Sequence, residues 1–194
     1  ANLASVAVEK ARMHQSVLAR EKEQKEIELA RQVQLGFLPQ TLPEVPGYEF
    51  YSHYSPALTV GGDYYDFFPL PNGRWGILLA DVSGHGAAAA VFMAITHSLV
   101  HTHPGPAAPP GLVLGYLNHQ LSTRYSRLTD TFVTAFYGIY DPATRNLTYA
   151  SAGHTPPRSK RCSDGTLIGL DTVKSFPLGI MEGAVYEEAC LTLV

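Results

Sequence analysis

Three aspartates, Asp63, Asp66 and Asp81, lie in two stretches otherwise rich in Gly, Tyr, Ala and Val: Gly61-Gly62-Asp63-Tyr64-Tyr65-Asp66 and Ala80-Asp81-Val82-Ser83-Gly84-His85-Gly86. Carboxylates at the ends of apolar strands are costly unless a cation compensates them. Lys and Arg number only 14 in 194 residues, so a divalent metal is the natural compensator. Hard ions such as Mg²⁺ and Mn²⁺ prefer carboxylate, carbonyl and water oxygens. Asp63 and Asp81, with the Val82 carbonyl, supply part of such a site. Two ions ~3.5–4 Å apart activate a water and neutralise a phosphoryl group during in-line attack. The neighbouring glycines leave room for backbone and phosphate to approach closely.

A hairpin brings these acids together. Asp63–Leu70 and Arg74–Asp81 have strand composition and flank Pro71-Asn72-Gly73, whose Asn-Gly pair is a strong turn signal. With Asn72 and Gly73 as the two turn residues, Asp63 faces Val82 and Asp81 faces Tyr64. The two acids are then neighbours at the open end, and a one-residue bulge beside Gly61-Gly62 would set them on one face.

The surrounding elements follow from periodicity. Residues 1–38 contain no proline and many helix formers, and a heptad-like seam runs from Val6 through Lys10, Met13, Val17, Arg20, Gln24, Ile27, Arg31 and Gln34 to Leu38. This predicts a long helix, either simply solvated or coiled-coil-like, the latter dimerising or transmitting a signal. Pro39, Pro43 and Pro46 end it and open the second unit, 39–194. Strand character begins in the aromatic Tyr48–Tyr54. Ala87–Val100 has one apolar face, with Ser83 and the glycines as its start. A loop at His103–Gly111 leads to a second helix carrying Leu112, Val113, Tyr116, Leu117 and Leu121. Strands are predicted at Thr131–Tyr140, Asn146–Ser151, Thr166–Gly169 and Val185–Val194. Strands, then two helices, then strands describe an α+β domain rather than a βαβ sheet.

Other clusters carry less. His97, His101 and His103 have no acid or cysteine near them in sequence, so they are expected to be surface histidines. His154 sits at a strand end within reach of the acids, with a structural hydrogen-bonding role. Cys162 and Cys190 lack the spacing of a thiolate zinc site and fit a reducing cytoplasm. A net charge of −3 gives no footprint for nucleic acid, and no apolar run approaches a membrane span. The chain opens on Ala-Asn-Leu and stops in strand-like Leu191–Val194, so both ends are expected to be cuts in a longer protein.

In order and spacing, Gly61-Gly62-Asp63-Tyr64-Tyr65-Asp66, Asp81-Val82-Ser83-Gly84-His85-Gly86, Ala152-Gly153-His154 and Pro177-Leu178-Gly179 resemble the SpoIIE/RsbU branch of metal-dependent serine/threonine phosphatases, relatives of protein phosphatase 2C. The resemblance covers about Ala30 to Val194. Ala1–His14 resembles the closing helix of a GAF sensor domain. The family resemblance implies an α-β-β-α sandwich of two mainly antiparallel sheets flanked by helices, its C-terminal part missing here, and a binuclear Mn²⁺/Mg²⁺ centre. It implies hydrolysis of phosphoserine or phosphothreonine, often on a STAS-type anti-sigma-factor antagonist. Asp81 would bridge both metals, Val82 would offer its carbonyl, and Asp63 would act in the first or second shell, with Asp66 a weaker candidate. Ser83 stands where the wider family has a histidine, so His85 does not inherit that proton-donor role. Further metal aspartates are implied downstream, and nothing after Glu188 supplies them. These 194 residues are therefore expected to bind metal weakly and turn over little. The alternative expectation is a pseudophosphatase that binds its partner without hydrolysis.

Overall fold

The computed structural model describes residues 3–103, 105, 108–125 and 130–193. Parts of the expected loop at His103–Gly111, and Ala1, Asn2 and Val194, lie outside them. Helix α1 (Leu3–Leu35) is followed by an irregular segment. Next come β1 (Tyr64–Pro69), β2 (Trp75–Val82), α2 (Gly86–His101) and α3 (Pro110–Arg124). The chain continues through β3 (Val133–Asp141), β4 (Asn146–Ala152), β5 (Arg158–Lys160), β6 (Leu167–Gly169) and β7 (Ala189–Thr192). One antiparallel sheet has the order β1-β2-β3-β4-β7; β5 and β6 form a second, two-stranded antiparallel sheet. The α+β class is as the sequence predicts.

The two faces of the large sheet have separate cores because strand residues alternate sides. On one face Tyr64, Leu78, Ala80, Val82, Ala135 and Tyr137 pack with Met93 of α2 and Leu114, Leu117 and Leu121 of α3. On the other, Phe136 and Tyr149 gather Leu170 and Val173, with Leu79 and Leu147 against them. α1 is mostly exposed until its end, where Leu35 and, just beyond the helix, Phe37 and Leu38 join the first core.

Three local readings are corrected. Tyr48–Tyr54 forms no strand; only a single bridge links Val45 and Tyr48. Ser83 does not cap α2, whose N-cap is His85 without a side-chain bond. Instead the Ser83 hydroxyl accepts the Phe132 N–H at 3.0 Å, and the Ser83 N–H donates to the Phe132 carbonyl at 2.9 Å, tying β2 to the approach to β3. The hairpin turn is longer than two residues. Pro71–Gly73 is a 3₁₀ turn with Asn72 in left-handed conformation (φ 64°), closed by the Leu70 N–H on the Arg74 carbonyl at 2.8 Å.

The Ala152-Gly153-His154 and Pro177-Leu178-Gly179 motifs prove to be one packing unit. Leu178 exchanges both backbone hydrogen bonds with Val133, at 2.8 and 3.0 Å. The fully buried Asn118 side chain accepts the Gly179 N–H at 2.9 Å and donates to the Met181 carbonyl at 2.8 Å. Gly153 has φ +66°, and a Cβ there would stand 2.7 Å from Pro177 Cγ. Gly153→Ala thus combines left-handed strain with a clash and is expected to lower unfolding stability by about 1–3 kcal/mol. The urea midpoint reads it; an unchanged midpoint would show that the two motifs do not support each other.

Candidate active site on the face away from the helices

Because the turn is longer than two residues, the hairpin register differs by one residue from the Asn-Gly expectation. Tyr64 pairs with Ala80, not Asp81, and the pairing continues with the Val82 N–H donating to the Gly62 carbonyl at 3.4 Å. Asp63 therefore stands directly opposite Asp81. Cross-strand partners share a face, so no bulge is needed to bring the carboxylates together. They fall on the side away from α2 and α3, whereas Tyr64, Ala80 and Val82 point into the helix-facing core.

The next strand extends the row. Thr134 is the β3 partner of Asp81. Its hydroxyl lies 3.4 Å from the Asp81 carbonyl and 2.9 Å from His154 Nδ1. Asp63 and His154 share a cavity of about 190 Å³ with His53, Tyr54, Tyr65 and Leu79. A larger cavity, about 410 Å³, lies at Phe132 and Gly179 and includes neither Asp63 nor Asp81 in its lining.

Electrostatics here favour an added cation. Partial burial, then the adjacent Asp63 charge and its hydrogen bond, push the Asp81 carboxyl above the ordinary carboxylate range. Among the described residues no Lys or Arg forms an ion pair with either acid. His154 is lowered by burial, which the Asp63 charge opposes, so its imidazole is biased toward the neutral form. Gly62 explains the Gly-Gly pair: a Cβ there would lie 3.0 Å from both the Val82 carbonyl oxygen and Val82 Cβ. Two carboxylates and a nearby main-chain carbonyl, with no Lys or Arg paired to them among the described residues, form a donor set suited to a hard divalent ion.

Asp66 does not join this group. Two residues beyond Tyr64 on the same strand face, it is buried among the helices, 6% exposed. Its Oδ2 meets His101 Nε2 at 2.8 Å and accepts the Tyr64 hydroxyl at 2.5 Å. His101 is exposed, as expected of a surface histidine, and His97 is half-buried, but the expectation that no acid lies near them is corrected: Asp66 meets both. Strand alternation delivers Asp66 to them across the sheet–helix interface, a contact that sequence proximity does not reveal. His85 is exposed at the start of α2.

Sequence reasoning also missed Gln34. At the end of α1 and 3% exposed, its amide nitrogen donates to the Gly61 carbonyl at 2.7 Å, and its amide oxygen accepts the Gly61 N–H at 3.1 Å. The only sequence signal was a polar member of a heptad seam close to the helix end.

The profile of the family described as Stage II sporulation protein E (SpoIIE) matches residues 71–194. Phosphoserine phosphatase RsbU of Bacillus subtilis is 31% identical over 176 residues, 90% of this chain and 51% of that protein. Phosphoserine phosphatase RsbP of the same organism is 27% identical over 170 residues, 87% of this chain and 41% of that protein. The chain thus spans about half of the first of these relatives and less than half of the second. Among solved structures, the SiaA PP2C domain of Pseudomonas aeruginosa superposes with a TM-score of 0.74 at 21% identity, covering 91% of this chain and 69% of that one, a likeness of fold.

Proposed function

As the chain belongs to the SpoIIE family of protein-phosphatase-2C-like domains, we propose that its protein hydrolyses phosphoserine or phosphothreonine on another protein. The observation that carries this reading is the opposed Asp63–Asp81 pair, without a basic partner among the described residues and beside the Val82 carbonyl. Asp81 and Asp63 are the proposed catalytic and metal-holding acids, and Val82 adds its carbonyl oxygen. Two Mn²⁺ or Mg²⁺ ions, when bound, would supply a water nucleophile and charge neutralisation for the phosphoryl group. Thr134, bonded to His154 and near the Asp81 carbonyl, steadies the strand end that carries Asp81. Gly62 keeps the approach to Val82 open.

The proposed substrate is a phosphorylated STAS-domain protein, in bacterial stress or sporulation-type signalling in the cytoplasm. No helix among the described residues is long and apolar enough to cross a membrane. Residues 1–38 are proposed as the relay from an upstream sensor to the phosphatase unit at 39–194, with the helices pairing as a homodimer. Met13, Val17 and Ile27 of the seam are exposed on α1, which supports pairing. Incubating the full protein with a phosphoserine-bearing STAS protein should release phosphate with Mn²⁺ and release none with EDTA. Equal rates in EDTA would overturn the metal-dependent reading. Partner binding without phosphate release would favour the pseudophosphatase.

A further inference from the structure

Behind the sheet, on the side opposite Asp63 and Asp81, Asp66 of β1 converges with His97 and His101 of α2. One ligand atom from each lies within 4.8 Å of the other two. We propose that these three residues form a second, separate metal site, for a borderline divalent cation of the zinc class. The donor set decides the class: two imidazoles with one carboxylate suit zinc-like ions, whereas the all-oxygen set at Asp63, Asp81 and Val82 suits Mg²⁺ or Mn²⁺.

The sequence spacing prepares the site. His97 and His101 are four residues apart on α2 and so share one helix face, with ring centroids 4.3 Å apart. Ligand atoms around a tetrahedral zinc stand ~3.3 Å apart, given Zn–N bonds of ~2.0–2.1 Å. His101 Nε2 and Asp66 Oδ2 already stand 2.8 Å apart and His97 completes the group within 4.8 Å, so side-chain rotation alone is the adjustment an ion would ask of the site.

The surroundings hold the ligands as outer-shell partners do at metal centres. The Tyr64 hydroxyl donates to Asp66 Oδ2, and the Phe67 N–H donates to Asp66 Oδ1 at 2.7 Å. Phe37 and Tyr64 flank His97, with centroids 4.9 and 5.6 Å away, and Phe68 flanks His101 at 5.2 Å. Among the described residues no Lys or Arg pairs with the buried Asp66, whose one ion-pair partner is His101. Burial, and next the neighbouring His101, hold His97 below its ordinary range, opposed by Asp66. The neutral imidazole is the form that ligates. His101 is 45% exposed at its side chain, which leaves an entry path. A bound ion would clamp α2 to β1 beneath Phe37, where the N-terminal helix enters the domain.

The test titrates Co²⁺ and then Zn²⁺ into the full protein carrying Asp81→Asn, which disables the carboxylate site. The proposal expects one equivalent of Co²⁺ with the intense visible bands of low-coordinate cobalt, displaced by Zn²⁺. His101→Gln or His97→Gln should weaken this binding by about a hundredfold or more, beyond the loss that outer-shell changes bring. Circular dichroism checks that each variant is folded. In the protein with both histidines intact, the ring ¹⁵N resonances of His97 and His101 should move on adding Zn²⁺ while those of His53 and His85 stay. Unmoved His97 and His101 resonances, or Zn²⁺ affinity unaltered by His101→Gln, would overturn the site and leave only an Asp66–His101 ion pair. Neither result bears on phosphatase activity, so this proposal and the catalytic one fail separately.

Discussion

Asp81→Asn is expected to cut Mn²⁺-dependent phosphate release by more than about a hundredfold and, in EDTA, to raise the melting temperature. Outer-shell changes at metal centres already cost about ten- to a hundredfold, and Asp81 is one of the two acids proposed to hold the metal directly. The stability half of the prediction has the opposite sign because the metal-free site is electrostatically strained. Partial burial and the facing Asp63 raise Asp81 above its unfolded value of 3.8. Between 3.8 and that raised value the folded chain binds more protons than the unfolded chain. The Asp81 contribution is therefore most favourable below 3.8 and is lost as pH rises through the raised pKa. At neutral pH the ionised Asp81 opposes folding, and asparagine removes that opposition. Melting curves against pH in EDTA, for both proteins, read the difference. A wild type more stable than Asp81→Asn at neutral pH without metal would refute the strained pair, and retained activity would remove Asp81 from the site.

The same pair shows how far the sequence carries. Apolar strands around Pro71-Asn72-Gly73 made the hairpin legible, and so the nearness of Asp63 and Asp81. Register was not legible: Asn-Gly favours a two-residue turn, while the 3₁₀ turn spends one more residue and puts the acids face to face. Helices α2 and α3 were visible from their apolar periodicity because packing against the sheet requires it. Two contacts were invisible for a shared reason. Asp66 reaches His101 across 35 residues, and Gln34 reaches Gly61 across 27. Both depend on which face of an element turns inward, and short-range spacing does not encode the docking that selects it. The motif resemblance located Asp81 and Gly153 without explaining them; the structure assigns Gly153 to the seat of Pro177.

Gln34→Leu is expected to raise the Mn²⁺ concentration for half-maximal activity by about ten- to a hundredfold, the range of outer-shell partners, while substrate KM stays unchanged. The α1 helix is exposed along most of its length, yet this buried amide near its end grips both the N–H and the carbonyl of Gly61. Two residues later comes Asp63. Between them Gly62 lies against the Val82 carbonyl, so a shift of Gly61 moves the acid and the close approach together. Leucine fills similar space but leaves two main-chain groups without that partner, at ~1–3 kcal/mol for each one left buried and unsatisfied. A role confined to stability would lower the melting temperature and leave the Mn²⁺ dependence alone, and that outcome would overturn the coupling. Gln34→Glu separates the two bonds: its carboxylate still accepts the Gly61 N–H but cannot donate to the carbonyl. An intermediate Mn²⁺ requirement in that variant would show that the helix positions Asp63 through both halves of the amide. Through this contact a rotation of α1, of the kind the proposed sensor relay would need, would reach the proposed metal site without any larger movement of the sheet.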